Sequence, residues 1–248
     1  MNIRSLALLL LAAGCTGQSV LPPAAQAPRG AAALVAEMKA ACGGAAWDRV
    51  QGWHETGTVD LPGRPGVPYE IWHDMRTLKT RMENRVAGRL VRQFGYYGTG
   101  YWQIAGGEAE FGSDAARLRR YRRDAYLSSS GWYFPARFPA AMEIAGTRIV
   151  DGKPHDVLRI SPDDADSFEL WVDRTTHRVR RIVAGSEYAD LSDYRTFPSG
   201  VCSATTGRQG DGDPAHDIVL HVQTIETDAP IPAAVFVPPP HTVPVGQN

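Results

Sequence analysis

The chain has 248 residues, with 26 Lys and Arg against 27 Asp and Glu and a formal net charge of −1. A near-neutral balance without a basic bias argues against nucleic acid as a partner. Beyond an N-terminal leader and tether, about 210 residues remain, which suits one β-rich domain or, at a stretch, two small ones.

Arg4, the apolar run from Leu6 to Ala13 and then Gly14 and Cys15 follow the layout of an export signal. The run is far short of the roughly 20 apolar residues that a membrane-spanning helix needs. The stretch LAAGC resembles the lipobox of bacterial lipoproteins, with Ala12 where Leu is usual. That likeness implies lipidation at Cys15, and Thr16 after it, in place of Asp, points to the outer membrane. Ala25, Gln26 and Ala27 offer the rival reading, an ordinary cleavage site that would release a soluble periplasmic protein. Residues 1–15 are thus read as signal and lipobox, and 16–30, rich in Pro, Ala and Gln, as a tether. Residues 31–240 form one domain, followed by a tail over 241–248.

A short helix is expected from Ala31 to Ala41, with Leu34, Val35 and Met38 on one face and Gly43 and Gly44 ending it. Cys42 follows it, and Cys202 is the only other cysteine once Cys15 is set aside. An oxidising envelope compartment permits these two to pair, and two buried thiols are the other reading. Strands are expected at Trp53 to Leu61, Tyr69 to His73, Leu78 to Val86, Leu90 to Tyr97 and Tyr101 to Ala105, with a turn over Pro62 to Pro68. The gaps between them are too short for crossover helices, so hairpins in series are expected. Ser113 to Ser128 is a second helix, with Ser113 as its N-cap and Leu118, Tyr121, Ala125 and Tyr126 at helical spacing. Strands resume at Glu143 to Val150, His155 to Ser161, Phe168 to Asp173, Val179 to Ala184 and Glu187 to Tyr194. Gly207 to Asp213 reads as a flexible polar loop, and His216 to Thr227 as a long final strand. The fold class is therefore α+β, a curved antiparallel sheet whose buried face is covered by its few helices.

The common enzyme signatures are missing: no G-x-S-x-G, no H-E-x-x-H, no C-x-x-C and no phosphate-binding glycine loop. A hydrolase would need pairs such as His54 with Glu55 or His73 with Asp74 to converge on a pocket. His216 and His221 fall on opposite faces of a strand, so no shared metal is expected, and Asp163, Asp164 and Asp166 read as a solvated turn. No cofactor is implied. Two features remain. Arg117, Arg119, Arg120, Arg122 and Arg123 crowd the second helix and could meet anionic head groups or an acidic partner. Among the aromatic residues, Trp53, Tyr69, Trp72, Tyr97, Trp102 and Trp132 are candidates for lining an apolar cavity.

ACGGAAW at 41–47, GYYGTGYW at 95–102, FELWVDRTTHRVRRI at 168–182, DLSDYR at 190–195 and IETDAPIPAAVFVPP at 225–239 recur in this order. The set resembles LolA/LolB-like half-barrel lipoproteins of the bacterial envelope, in particular the domain found ahead of retropepsin-like aspartyl proteases. The resemblance implies a half-barrel, a strongly curved sheet wrapped round helices, with an apolar cavity for the acyl chains of lipids or lipoproteins. It also implies that Leu170, Trp171, Val172, Asp173 and Thr176 build a strand and a tight turn. The Asp-Thr/Ser-Gly signature of the protease is absent from these residues, so protease activity is not carried over. The function expected is that of a non-enzymatic, membrane-tethered lipid carrier, receiver or sensor; a ligand-free scaffold acting through an envelope protein partner is the alternative.

Overall fold

A computed structural model describes residues 30–240. Cys15, the signal segment, nearly all of the tether and the tail lie outside the described residues. The first element, α1 (Ala31–Ala41), has the expected bounds, and Leu34 and Met38, one turn apart, are fully buried. The chain then reverses at Gly43, whose φ of 111° suits a residue without a Cβ. A Cβ at Gly43 would also run into the carbonyl oxygen of Gly200. A 3-10 turn over Gly44–Arg49 follows and delivers Trp47 to the core.

The rest is chiefly one antiparallel sheet of thirteen strands. Six strands form a first meander: β1 (Gly52–Leu61), β2 (Arg64–Asp74), β3 (Thr80–Val86), β4 (Arg89–Tyr96), β5 (Tyr101–Ala105) and β6 (Glu108–Gly112). Five form a second: β7 (Ala140–Val150), β8 (Lys153–Pro162), β9 (Phe168–Asp173), β10 (Val179–Ala184) and β11 (Glu187–Ser192). After a small separate pair, β12 (Arg195–Thr196) and β13 (Cys202–Ser203), the strands β14 (Thr206–Gly210) and β15 (Ile218–Glu226) join the two meanders. β14 pairs with β11 and β15 with β1, so β6 and β7 are left as the two edges. The chain passes from one edge to the other through α2 (Ala115–Ser128), which must therefore cross the concave face.

Strand parity assigns the side chains to faces. Trp53, His73, Thr80, Tyr96 and Tyr101 are register partners across β1 to β5 and share the concave face. There Tyr101 stacks on Tyr121 of α2 at 4.6 Å between ring centroids. His54, Trp72, Arg81, Gly95 and Trp102 form the adjacent row and face the convex side.

Several boundaries differ from expectation for physical reasons. Asp114, not Ser113, caps α2, accepting from the amide of Arg117 at 2.9 Å. The turn after β1 is confined to Pro62 and Gly63, so β2 begins at Arg64. Leu78 has a φ of 57° in the turn before β3, which Asp74 stabilises by accepting from Thr77 Oγ1 at 2.6 Å. Gly207 to Asp213 is not wholly a loop, because β14 uses its first half, with Gly207 lying beneath the side chain of Leu191. His216 sits in a 3-10 turn, and the last strand starts at Ile218. The turn after β9 is as expected: Asp173 Oδ1 accepts from the amides of Thr175 and Thr176, both at 2.8 Å.

Trp47 organises the core. Its indole donates to the carbonyl of Cys42 at 2.7 Å, lies 5.9 Å from Trp53 in a stacked pair and 4.8 Å from Tyr133. Replacing Trp47 by Ala is expected to cost about 3–5 kcal/mol of stability, read from the denaturant midpoint. Cys42 and Cys202 are both buried thiols with 3.4 Å between sulfurs, and the Cys202 amide donates to the Cys42 carbonyl. Donation from the Cys42 thiol, aided by the charge of Arg178, lowers the Cys202 thiol to about 7. We expect protein from an oxidising compartment to weigh two hydrogens less than its reduced form. Reduction should then cost about 2–4 kcal/mol, and equal denaturant midpoints with and without reductant would contradict the pairing.

Candidate functional site

The concave face is divided in two. Beneath α1 and the 3-10 turn Gly131–Tyr133 it is filled: Trp47, Trp53, Tyr126, Trp132, Tyr133, Phe134, Leu158, Ile160 and Leu170 form one continuous core. A recess of about 50 Å³ lies there beside Cys42 and Cys202. Toward the turn joining β1 and β2 the cover thins. A smaller cluster of Val59, Val67 and Tyr69 is ringed by Leu61, Ile71, Met82, Ile218 and Leu220, which are only partly buried. Phe94, Met82 and Ile71 are register partners on this face, as are Leu220, Gly207 and Leu191, and the apolar strip crosses from one meander to the other.

A polar group is set into this strip. Glu55 accepts from Tyr69 Oη at 2.8 Å and from Trp53 Nε1 at 3.1 Å. Burial pushes its carboxyl upward, and these two donors partly offset the shift. His73, paired across the strands with Trp53, is buried with no hydrogen-bond partner for Nδ1, and burial drives its pKa down to about 3.

α2 ties the two wings of the sheet together across the mouth. Arg117 reaches Glu110 and the hydroxyl of Tyr101 on the first wing. On the second, Arg119 Nε donates to Asp166 at 3.0 Å and Arg119 Nη2 to the carbonyl of Ala165, while Arg122 lies 3.8 Å from Asp164. Arg123 is buried, bonded to Asp124 and 3.7 Å from Glu187. Between α2 and the turns at 166–167 and 184–187 opens a cleft of about 440 Å³ lined by Arg119, Arg120, Arg123, Asp166, Ser186 and Glu187.

The six aromatic candidates do not share one cavity. Trp53 and Trp132 are in the filled core and Tyr69 is in the smaller cluster. Trp72 and Trp102 lie on the convex side, where Trp72 stacks on His54 at 5.3 Å and Trp102 Nε1 donates to Gln93 at 2.9 Å. Tyr97 stands at the turn after β4, with its ring 6.0 Å from Trp102. The convex row is itself partly covered by the C-terminal segment: Arg81 donates to the carbonyl of Val235, and Phe236 is buried. The pairs His54 with Glu55 and His73 with Asp74 cannot converge, since neighbours along a strand point to opposite faces. His216 meets Asp211 and His221 meets Asp60. Among the described residues no three His, Cys, Asp or Glu side chains are grouped to hold a metal.

Sequence comparison finds no matching family model and no matching curated protein. Solved structures do match. A DUF1329 family protein from Desulfovibrio piger is 14% identical with a TM-score of 0.55, over 84% of this chain and 95% of that one. A putative outer membrane lipoprotein-sorting protein domain from Vibrio parahaemolyticus is 10% identical with a TM-score of 0.55, over 83% and 95%. A LolA superfamily protein from Nitrosomonas europaea is 10% identical with a TM-score of 0.50, over 79% and 98%. The fold is LolA-like. At these identities the likeness concerns architecture, an open curved sheet with helices on its concave side.

The LolA-like floor carries a pH signature. The ordinary histidine value is 6.5 and His73 stands at about 3 in the fold, so between these values the unfolded chain binds the extra proton. Stability attributable to His73 is complete above pH 6.5 and falls as the pH drops toward 3, by up to about 1.4 kcal/mol per pH unit. Glu55, shifted upward, contributes the opposite slope above its ordinary 4.5. A His73→Gln variant should lack the fall in stability from pH 6.5 toward 4.5 that His73 causes and retain the opposite slope of Glu55, measured by urea midpoints across that range.

Proposed function

We propose that this protein is a non-enzymatic lipid-binding domain of the bacterial envelope, tethered through a lipidated Cys15 and facing the periplasm from the outer membrane. Its ligand is an acyl chain of a lipid or lipoprotein, laid along the open apolar strip of the concave face. The observation that carries this reading is that strip: Ile71, Met82, Ile218 and Leu220 remain partly exposed on the inner side of a sheet whose other half is closely packed. Each methylene buried there contributes about 0.8 kcal/mol, so a long chain can be held without a polar anchor. The architecture shared with a putative lipoprotein-sorting domain supports the same reading. So does the lipobox-like LAAGC, while no described helix is long and apolar enough to cross a membrane.

The filled core favours a second reading. Beneath α1 the half-barrel is packed with Trp47, Tyr133 and Phe134 beside a recess of about 50 Å³, as expected of a ligand-free scaffold or sensor working through a protein partner.

Native mass spectrometry of the processed chain carrying Cys15→Ser, purified from the periplasm, separates the two. A stoichiometric phospholipid or acylated species is expected, and Met82→Glu should reduce its occupancy several-fold. A clean ligand-free mass that dispersed lipids leave unchanged would overturn lipid binding in favour of the scaffold. For the anchor, wild-type protein should sediment with membranes and Cys15→Ser should not.

A further inference from the structure

The arginine cleft has features that holding α2 in place does not require. Arg119 and Arg123 are tied to the second wing, whereas Arg120 has no hydrogen bond or ion pair among the described residues, although it lines the same cavity. Three guanidinium groups line the cleft with two carboxylates, Asp166 and Glu187, while Asp124, bonded to Arg123, also acts electrostatically on Arg120. The Arg123 side chain is only 8% exposed. A charge so withdrawn from water acts on a ligand with less screening than a surface charge does.

We infer that this cleft is a binding site for a phosphoryl group. A guanidinium presents planar paired donors that match phosphate oxygens two at a time. Nη1 of Arg119, Nη1 of Arg123 and the whole Arg120 head have no hydrogen-bond acceptor among the described residues, so the donors a tetrahedral anion needs are present. The hydroxyls of Ser167 and Ser186 also line the space, and about 440 Å³ exceeds what bare phosphate fills, leaving room for an attached alcohol.

The position is informative as well. Ile218 is linked through Gln209 and Ala189 to Ile182 on the concave face, and Ile182 lies just before the turn at 184–187 that walls the cleft. The apolar strip and the arginine cleft therefore open at the same end of the sheet, as a phospholipid's tail and head group require. As a head-group seat the cleft rests on the acyl-chain reading; as an anion site it does not.

The test uses the processed chain with Arg120→Gln and, separately, Arg123→Gln. The probes are inorganic phosphate, glycerol 3-phosphate, vesicles of neutral lipid with or without phosphatidylglycerol, and uncharged monooleoylglycerol. Inorganic phosphate should bind in a salt-sensitive manner, Arg120→Gln should weaken it about tenfold, and monooleoylglycerol binding should not change. Arg120→Gln touches no tie between α2 and the sheet, so it tests the site even where Arg123→Gln fails to fold. Preference for phosphatidylglycerol vesicles identifies a head-group seat. Equal or better binding of glycerol 3-phosphate supports the anion site and overturns the head-group role. Absent phosphate binding, or binding unaltered by Arg120→Gln, overturns the site, and persistent monooleoylglycerol binding would then leave the acyl-chain reading intact. Phosphate binding without monooleoylglycerol binding keeps the cleft and removes the acyl chain.

Discussion

The packing of Trp47 is the constraint on which the rest depends. Its indole is fixed by donation to the Cys42 carbonyl and held between Trp53, Tyr133 and Phe134, and this closes the half of the concave face beneath α1. A sheet open at both edges must bury one face. Here large aromatic side chains accomplish that on one side and leave the other to a thin cluster around Tyr69. The functional surface is consequently displaced from the centre of the half-barrel toward its rim.

α2 sets the second condition. The chain passes through it from the first meander to the second, and its arginines engage acids on both, Glu110 on one side and Asp166 and Glu187 on the other. The pairs with Glu110 and Asp166 are largely exposed, and exposed pairs contribute about 0–1 kcal/mol each. The helix is seated chiefly by the burial of Ala125 and Tyr126 and by Tyr121 against Tyr101, while the ion pairs fix where the arginines point.

Much of this architecture was legible in the residue pattern. α1 and the strands at Tyr101, Phe168 and Val179 have the expected bounds, because alternation is regular there and glycine or Asp-turn signals close them. β14 was illegible, since Thr206 to Gly210 contains no apolar side chain, and its place depends on partners distant in sequence. β6 was missed for a similar reason, with two glutamates and a glycine in five residues. The site was read less well than the fold. Trp53 and Trp72 look equivalent in sequence, yet pairing of Trp53 with His73 and of His54 with Trp72 sends them to opposite faces. Residues that do form the open strip, such as Ile71, Met82 and Leu220, gave no signal beyond ordinary strand alternation. The arginine density of the second helix was visible from the start, but the cavity behind Arg119, Arg120 and Arg123 depends on turns some 50 to 70 residues further along.

The central claim is that a ligand chain lies along the open strip and not in the packed core. The most direct measurement is photocrosslinking with a phospholipid carrying a diazirine in its acyl chain, followed by peptide mapping. Label is expected on the strands bearing Ile71, Met82, Ile218 and Leu220. Label concentrated on Leu34, Met38 or Trp132, or on Trp72 and Trp102 of the convex side, would contradict that claim.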